Sequence, residues 1–438
     1  MNAINKQILH IAIPAIISNI TVPLLGLVDV TIVGHLGSAS YIGAIAVGGM
    51  LFNMIYWIFG FLRMGTGGLT AQAYGQNNIQ EITRILWRSL GVGLLLALSL
   101  ISLQYPIRYI AFTCIDASPE VQELATRYFH ICIWGAPATL GLYSFTGWFI
   151  GMQNSRFPMW IAITQNIVNI AASLLFVFVF HMKVEGVALG TLIAQYAGLG
   201  MAYLLCIHHY HPFSQKVQLK HLFAREAMQR FFLINRDIFL RTICLVAVTV
   251  FFTSTGATYG DITLAVNTLL MQLFTIFSYI MDGFAYAGEA LSGKCTGQQD
   301  EKGLYRTIKQ LFVWGGGMAM LFTLIYLFGG QDFLRLLTND AEVIASSTAY
   351  LAWTIAIPFS GFAAFILDGI CIGMTSTRIM LKSMALASAV FFLAYFLFCH
   401  MLGNHALWMA FITYLLTRGI MQGYLLYHKQ QTIKKIHF

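Results

Sequence analysis

Twelve apolar runs, each close to the roughly 20 residues a helix needs to cross a hydrocarbon core, limit what this chain can become. They fall at about 8–33, 41–66, 85–110, 126–150, 157–181 and 186–208, and then at 231–255, 262–286, 308–328, 347–372, 379–401 and 405–427. In hydrocarbon a backbone polar group must be bonded within its own segment, so runs of this length read as helices. They are too uniformly apolar for the alternating strands of an outer-membrane barrel. Charged residues make up only 10% of the chain, against about 25% in soluble domains. The sequence therefore describes an all-α membrane protein with twelve transmembrane helices. No cleavage site is recognisable at the N-terminus, so the first helix is expected to remain.

The basic residues between the runs give the orientation. Lys6, Arg84, Arg88, Arg156, Lys216, Lys220, Arg225, Arg230 and Lys294 fall on one side, with Lys302, Arg306, Lys309, Arg378, Lys382, Lys429, Lys434 and Lys435. The other side holds only Arg108, Arg127, Lys183 and Arg335. By the positive-inside rule both termini are cytoplasmic. The net charge of +8 is then a topology signal spread between membrane segments. It is not a nucleic-acid face, and the expected surroundings are a lipid bilayer.

An internal repeat organises the runs. Shifting the chain by 222 residues lays Gly34 on Gly256, Gly75-Gln76 on Gly297-Gln298, Arg84 on Arg306, Glu120-Val121 on Glu342-Val343 and Tyr128 on Tyr350. It also lays Gly147-x-x-x-Gly151-Met152 on Gly369-x-x-x-Gly373-Met374, with Arg156 on Arg378. One offset serving loops and helices alike is hard to obtain by chance. Each half has an even number of spans, so the repeat is parallel: two six-helix lobes related by an axis along the membrane normal. The lobes are expected at 1–207 and 231–438, joined by a cytoplasmic linker at 208–230. The G-x-x-x-G pairs by themselves indicate close helix packing and nothing more.

Acids and amides inside such spans are where function concentrates, because a charge at mid-bilayer costs at least about 2.5 kcal/mol. Asp29 lies in the first run, which also contains Pro14 and Pro23; each proline removes a backbone donor and can kink the helix. A carboxyl taken out of water accepts a proton more readily, as a proton-coupling site requires. Thr21 shares the face of Asp29 at helical spacing. The fifth run carries Asn166, Asn169 and Ser173, the sixth Thr191 and Gln195, and the fourth Thr139, Tyr143 and Thr146, each a polar stripe. Any one stripe reads as interhelical packing; together they outline a hydrogen-bonded pocket in the first lobe. In the second half, Asp282 is expected to pair structurally, for instance with Arg241, and Glu289 to reach water near the cytoplasmic end. Asp368 lies deeper, as a candidate for proton or substrate-cation binding. Arg63, Arg236 and Arg418 are further cations near membrane depth.

Nineteen methionines and 34 phenylalanines suit a cavity for varied apolar cations, although most must face lipid or core. No phosphate loop, zinc spacing or nucleophile–base pair is visible. The expectation is a protein that is not an enzyme, has no catalytic or metal site and no cofactor, and is driven by an ion gradient.

The stretches SNITVPLLGLVD at 18–29, GHLG at 34–37, RMGTGGLTAQAYG at 63–75 and DGFAYAGEALSG at 282–293 resemble the multidrug and toxic compound extrusion (MATE) family, most closely its DNA-damage-inducible F (DinF) branch. The GM-x-x-x-R turns after the fourth and tenth runs add to the likeness, which covers nearly the whole chain. The resemblance implies export of drugs or metabolites in exchange for H⁺ or Na⁺. It matches the family's cation-coupling aspartate to Asp29, its kink proline to Pro14, and a fifth-helix asparagine and sixth-helix threonine to Asn169 and Thr191. The tenth-helix acid of another branch would be Asp368. Two departures favour H⁺ over Na⁺: Ser173 stands where some relatives have an aspartate, and the seventh run shows no interior acid.

These readings converge on a monomeric secondary transporter of the bacterial inner membrane. It would export small amphipathic, often cationic compounds by alternating access. A flippase for lipid-linked saccharides remains the alternative, kept open by Arg63 and Arg241. An intramembrane enzyme lacks a visible catalytic cluster, and a passive channel fits the repeat less well.

Overall fold

A computed structural model describes residues 3–35, 38–113, 118–210, 224–338 and 340–436, which are almost entirely helical and contain no strand. Helices α1 (Ala3–Gly34), α2 (Ala39–Ile58), α3 (Phe61–Gly75), α4 (Ile79–Ser102) and α5 (Gln104–Thr113) come first. Then follow α6 (Pro119–Cys132), α7 (Ala136–Gly151), α8 (Arg156–Leu174) and α9 (Val184–Tyr210). The second half contributes α10 (Arg225–Thr258), α11 (Asp261–Gly297), α12 (Glu301–Leu337), α13 (Ala341–Gly373), α14 (Thr377–Leu402) and α15 (Asn404–Ile436). Leu36, Gly37 and residues 211–223, with Lys216 and Lys220 of the expected linker, lie outside the described residues.

Among the described residues ten helices are long and apolar enough to cross a membrane, with α2 and α3 counted together over Ser40–Gly75. The two other expected crossings fall on α6–α7 and on α15. Between α6 and α7 the helix tightens to a 3₁₀ turn at Ile133–Gly135. Pro137, with no N–H to offer the carbonyl of Ile133, accounts for the break. Both Pro14 and Pro23 sit inside α1, which stays helical through them.

The chain divides into two compact units. One is Ile13–Phe232; the other is Leu233–Phe438 together with Met1–Ala12. The expected lobes thus differ from the observed units at their edges. The start of α1 belongs with the second half, where Trp314 Nε1 donates to Asn5 Oδ1 (3.3 Å). The start of α10 belongs with the first, where Arg230 donates to Gln72 Oε1 (2.8 Å).

Corresponding helices meet within each unit: α3, α4 and α7 in the first, α11, α12 and α13 in the second, and α8–α9 as α14–α15. The offset of 222 reaches atomic detail. A Cβ added at Gly147 would lie 2.2 Å from the Arg63 carbonyl oxygen, and one at Gly369 would lie 2.0 Å from that of Ala285. At Gly151 it would meet Gly67 O, at Gly373 Glu289 O. The G-x-x-x-G pairs are therefore sites of backbone contact between α7 and α3, and between α13 and α11. The left-handed residues repeat too: Asn77 and Gln299, Gln153 and Thr375, His181 and Gly403, all with φ between 49° and 65°. So do the N-caps, Asn78 with Asp300 and Ser118 with Asp340, whose side chains accept the first free N–H groups of α4, α12, α6 and α13.

Candidate functional site

In the first unit α1, α8 and α9 bring three of the expected residues into one hydrogen-bonded line. Asn169 Nδ2 donates to Thr191 Oγ1 (3.0 Å), and the Thr191 hydroxyl donates to Asp29 Oδ2 (3.3 Å). Asp29 is 3% exposed, and Asn169 and Ser173 are completely enclosed. The close approach of α8 and α9 depends on Gly190, where a Cβ would lie 2.3 Å from Ser173 Oγ. Immediately beyond Ser173 the helix widens into a π turn over Leu175–Val179, a distortion frequent at functional sites. Asn166 completes the α8 stripe by donating to the Thr21 carbonyl of α1 (3.2 Å). The Thr21 hydroxyl turns back to Ser18 O (2.7 Å).

The centre is rich in acceptors. Asp29 Oδ1, Asn169 Oδ1 and Ser173 Oγ are buried and have no hydrogen-bond partner among the described residues. A buried oxygen without a donor is costly unless something positive reaches it, so this arrangement suits a proton or small cation.

Gln195 faces the 3₁₀ turn rather than Asp29: a Cβ at Gly135 would lie 1.8 Å from its Oε1. On α7, Tyr143 donates to Tyr56 O of α2 (3.3 Å), and Thr146 is partly buried. Tyr128, noticed in the sequence only as a repeat match, stands beside Thr191, Asp29 and Cys132. Its ring packs against Gly48, where a Cβ would come within 2.4 Å. Nothing in its spacing announces this, because α6 reaches α9 only in the folded unit.

The second unit corrects several expectations. The acid that Arg241 pairs with is Asp368: both Arg241 and Arg418 donate to Asp368 Oδ2, while Gln422 donates to Oδ1 (3.0 Å). Two guanidiniums already hold Asp368, so it is not a carboxylate open to a substrate cation. Glu289, expected to reach water, is fully buried, because the backbone of α11 at this residue lies directly against Gly373 of α13. The seventh run does carry an enclosed acid: Asp237 of α10 bonds Arg236 (3.0 Å) and accepts from Thr377 (3.3 Å). Arg63 is buried in α3.

The MatE family model matches residues 14–175 and 238–397. DNA damage-inducible protein F of Escherichia coli is 39% identical over 424 residues, covering 95% of this chain and 90% of that protein. A probable multidrug resistance protein NorM of Bradyrhizobium diazoefficiens is 23% identical over 92% of this chain and 89% of its own. Among solved structures, a MATE protein in the bent conformation superposes with a TM-score of 0.87 at 17% identity, over 99% of this chain and 97% of the other. The Vibrio cholerae MATE transporter VcmN in its bent form does so with 0.86 at 16% identity, over 100% and 99%. These two establish likeness of fold. The family match and the Escherichia coli relative establish kinship: the chain is a multi-pass membrane protein of the MATE family of multidrug and toxin efflux transporters, in its DinF branch.

Proposed function

We propose that this transporter exports amphipathic organic compounds from the bacterial cytoplasm in exchange for protons, with Asp29 as the coupling group. The observation that carries this reading is the enclosed line from Asn169 through Thr191 to Asp29, on a helix with two internal prolines. An ionised Asp29 is held by the Thr191 hydroxyl. A protonated one gives up that bond and can turn its O–H to the unpartnered oxygens of Asn169 and Ser173. Exchange of partners within α1, α8 and α9 reshapes the first unit and drives alternating access. The reading places both termini in the cytoplasm and takes the working unit as a monomer. H⁺ is preferred over Na⁺ because one carboxylate with neutral neighbours offers a small cation few charged ligands. Ser173 stands where a second acid would serve it.

The test is transport of a fluorescent cationic dye in proteoliposomes under a pH gradient or a sodium gradient alone. Movement driven by the pH gradient and lost in Asp29→Asn is expected, with folding and insertion retained. Unchanged export by Asp29→Asn would refute the assignment, and movement on sodium alone would overturn the choice of ion.

A further inference from the structure

In the second unit two buried guanidiniums share one carboxylate oxygen. Arg241 of α10 and Arg418 of α15 converge on a single oxygen of Asp368, and Gln422 takes the other. All four side chains are buried. Two guanidiniums bring ten N–H donors, and one from each converges on the same carboxylate oxygen. Arg241 Nε, Arg418 Nε and Gln422 Oε1 have no partner among the described residues. Asp282 and Tyr414 also lie within electrostatic reach of Arg418. Ionisable side chains inside a membrane protein mark a functional site by default, and a forked pair of guanidiniums is matched to oxyanions.

An aromatic wall adjoins these donors. The Arg418 guanidinium lies over the Phe365 ring at 5.5 Å. Phe365 meets Phe274 (6.3 Å) and Phe277 (6.2 Å), and Phe274 meets Phe411 edge-on at 5.2 Å. Phe274 is only partly buried. A guanidinium fork beside aromatic faces fits a ligand with an anionic head and an aryl or other apolar body.

We propose that Arg241 and Arg418 form a receptor for the carboxylate or sulfonate group of an amphipathic acid, with Asp368 occupying that receptor when no ligand is present. The substrate range then extends to aryl acids and zwitterions, beyond the cations that Asp29 suits. This rests on the exporter reading for its purpose, though the receptor can be tested without transport. Asp368 acts as an internal competitor: its carboxylate fills the fork, and an incoming oxyanion takes its place.

The purified full-length chain in nonionic detergent is titrated with naphthalene-1-sulfonate, and the unfolding midpoint is followed. A ligand bound only by the folded state raises that midpoint in proportion to its affinity. The same ring carrying an aminomethyl cation is the control. Asp368→Asn is expected to bind the sulfonate roughly tenfold more tightly, the factor that goes with one released hydrogen bond, without the same gain for the cation. Arg241→Gln and Arg418→Gln are expected to weaken it by at least about tenfold. An unchanged sulfonate response in both arginine variants overturns the proposal. So does a weaker response in Asp368→Asn, or no response in either that variant or the wild type. Should Asp368→Asn not fold, Arg241→Gln against the wild type decides, since it keeps a balanced Arg418–Asp368 pair. Failure of dye transport in proteoliposomes counts against the exporter reading alone, because the thermal shift requires no transport.

Discussion

Gly369→Ala should unfold this protein more easily, although alanine is the better helix former. The added methyl carbon would lie 2.0 Å from the carbonyl oxygen of Ala285. Carbon and carbonyl oxygen settle at roughly 3.3 Å, so α13 and α11 must part by about 1.3 Å. Overpacking of this kind costs about 1–3 kcal/mol, and the upper end applies because the obstacle is helix backbone that cannot swing aside. Replacing a helix glycine with alanine returns about 1 kcal/mol. The net loss is about 2 kcal/mol, a roughly 30-fold fall in the folded-to-unfolded ratio. Gly316, inside α12, has nothing within 4 Å of its Cβ position. Gly316→Ala should therefore show the propensity gain alone. Equilibrium unfolding of the two variants in mixed micelles gives the comparison. The first unit repeats it, with Gly147→Ala (2.2 Å from Arg63 O) against Gly91→Ala, which meets nothing. If Gly369→Ala proves as stable as Gly316→Ala, the backbone contact between α11 and α13 is wrong.

Two further outcomes follow from buried polar partners. Thr191→Val removes the donor to Asp29 and the acceptor for Asn169; pH-driven dye export should fall to a level between wild type and Asp29→Asn, with a stability loss of only about 0.6 kcal/mol. Asn267→Leu strips partners from Asn404 and from Trp408 Nε1, both of which donate to Asn267 Oδ1; the same unfolding assay should show a loss of about 2 kcal/mol or more, larger than for Asn404→Leu.

Hydropathy made the helices legible because a bilayer leaves the backbone few options, and offset matching made the halves legible because turns and caps need particular residues. Asp29, Asn169 and Thr191 could be singled out because acids and amides stand out against apolar neighbours. Partner choice could not be read this way. Arg241 lies 127 positions from Asp368, and nothing along the chain says that it bonds that acid rather than Asp282. The enclosure of Glu289 is likewise a tertiary fact, since helical position alone placed it near water. The enclosure of Asp237 is a tertiary fact too, since Thr377, which donates to it, lies 140 positions away. Of the two expected crossings outside the ten, one is split by the 3₁₀ turn into helices of 14 and 16 residues, and the other carries Arg418 within its span.

The left-handed corners at Asn77 and Gln299, Gln153 and Thr375, and His181 and Gly403 fix the same hairpin geometry in both halves, while the residues between them have diverged. At the shared offset Asp29 faces Phe251, Asn169 faces Phe391, Asp368 faces Thr146, Arg241 faces Asn19 and Arg418 faces Tyr196; Thr191 alone keeps its kind, as Thr413. Halves with matching corners thus carry different side chains, in one a carboxyl among hydroxyls and amides and in the other guanidiniums around a carboxylate. Such a difference needs no change at the corners, only in the side chains carried by the helices between them.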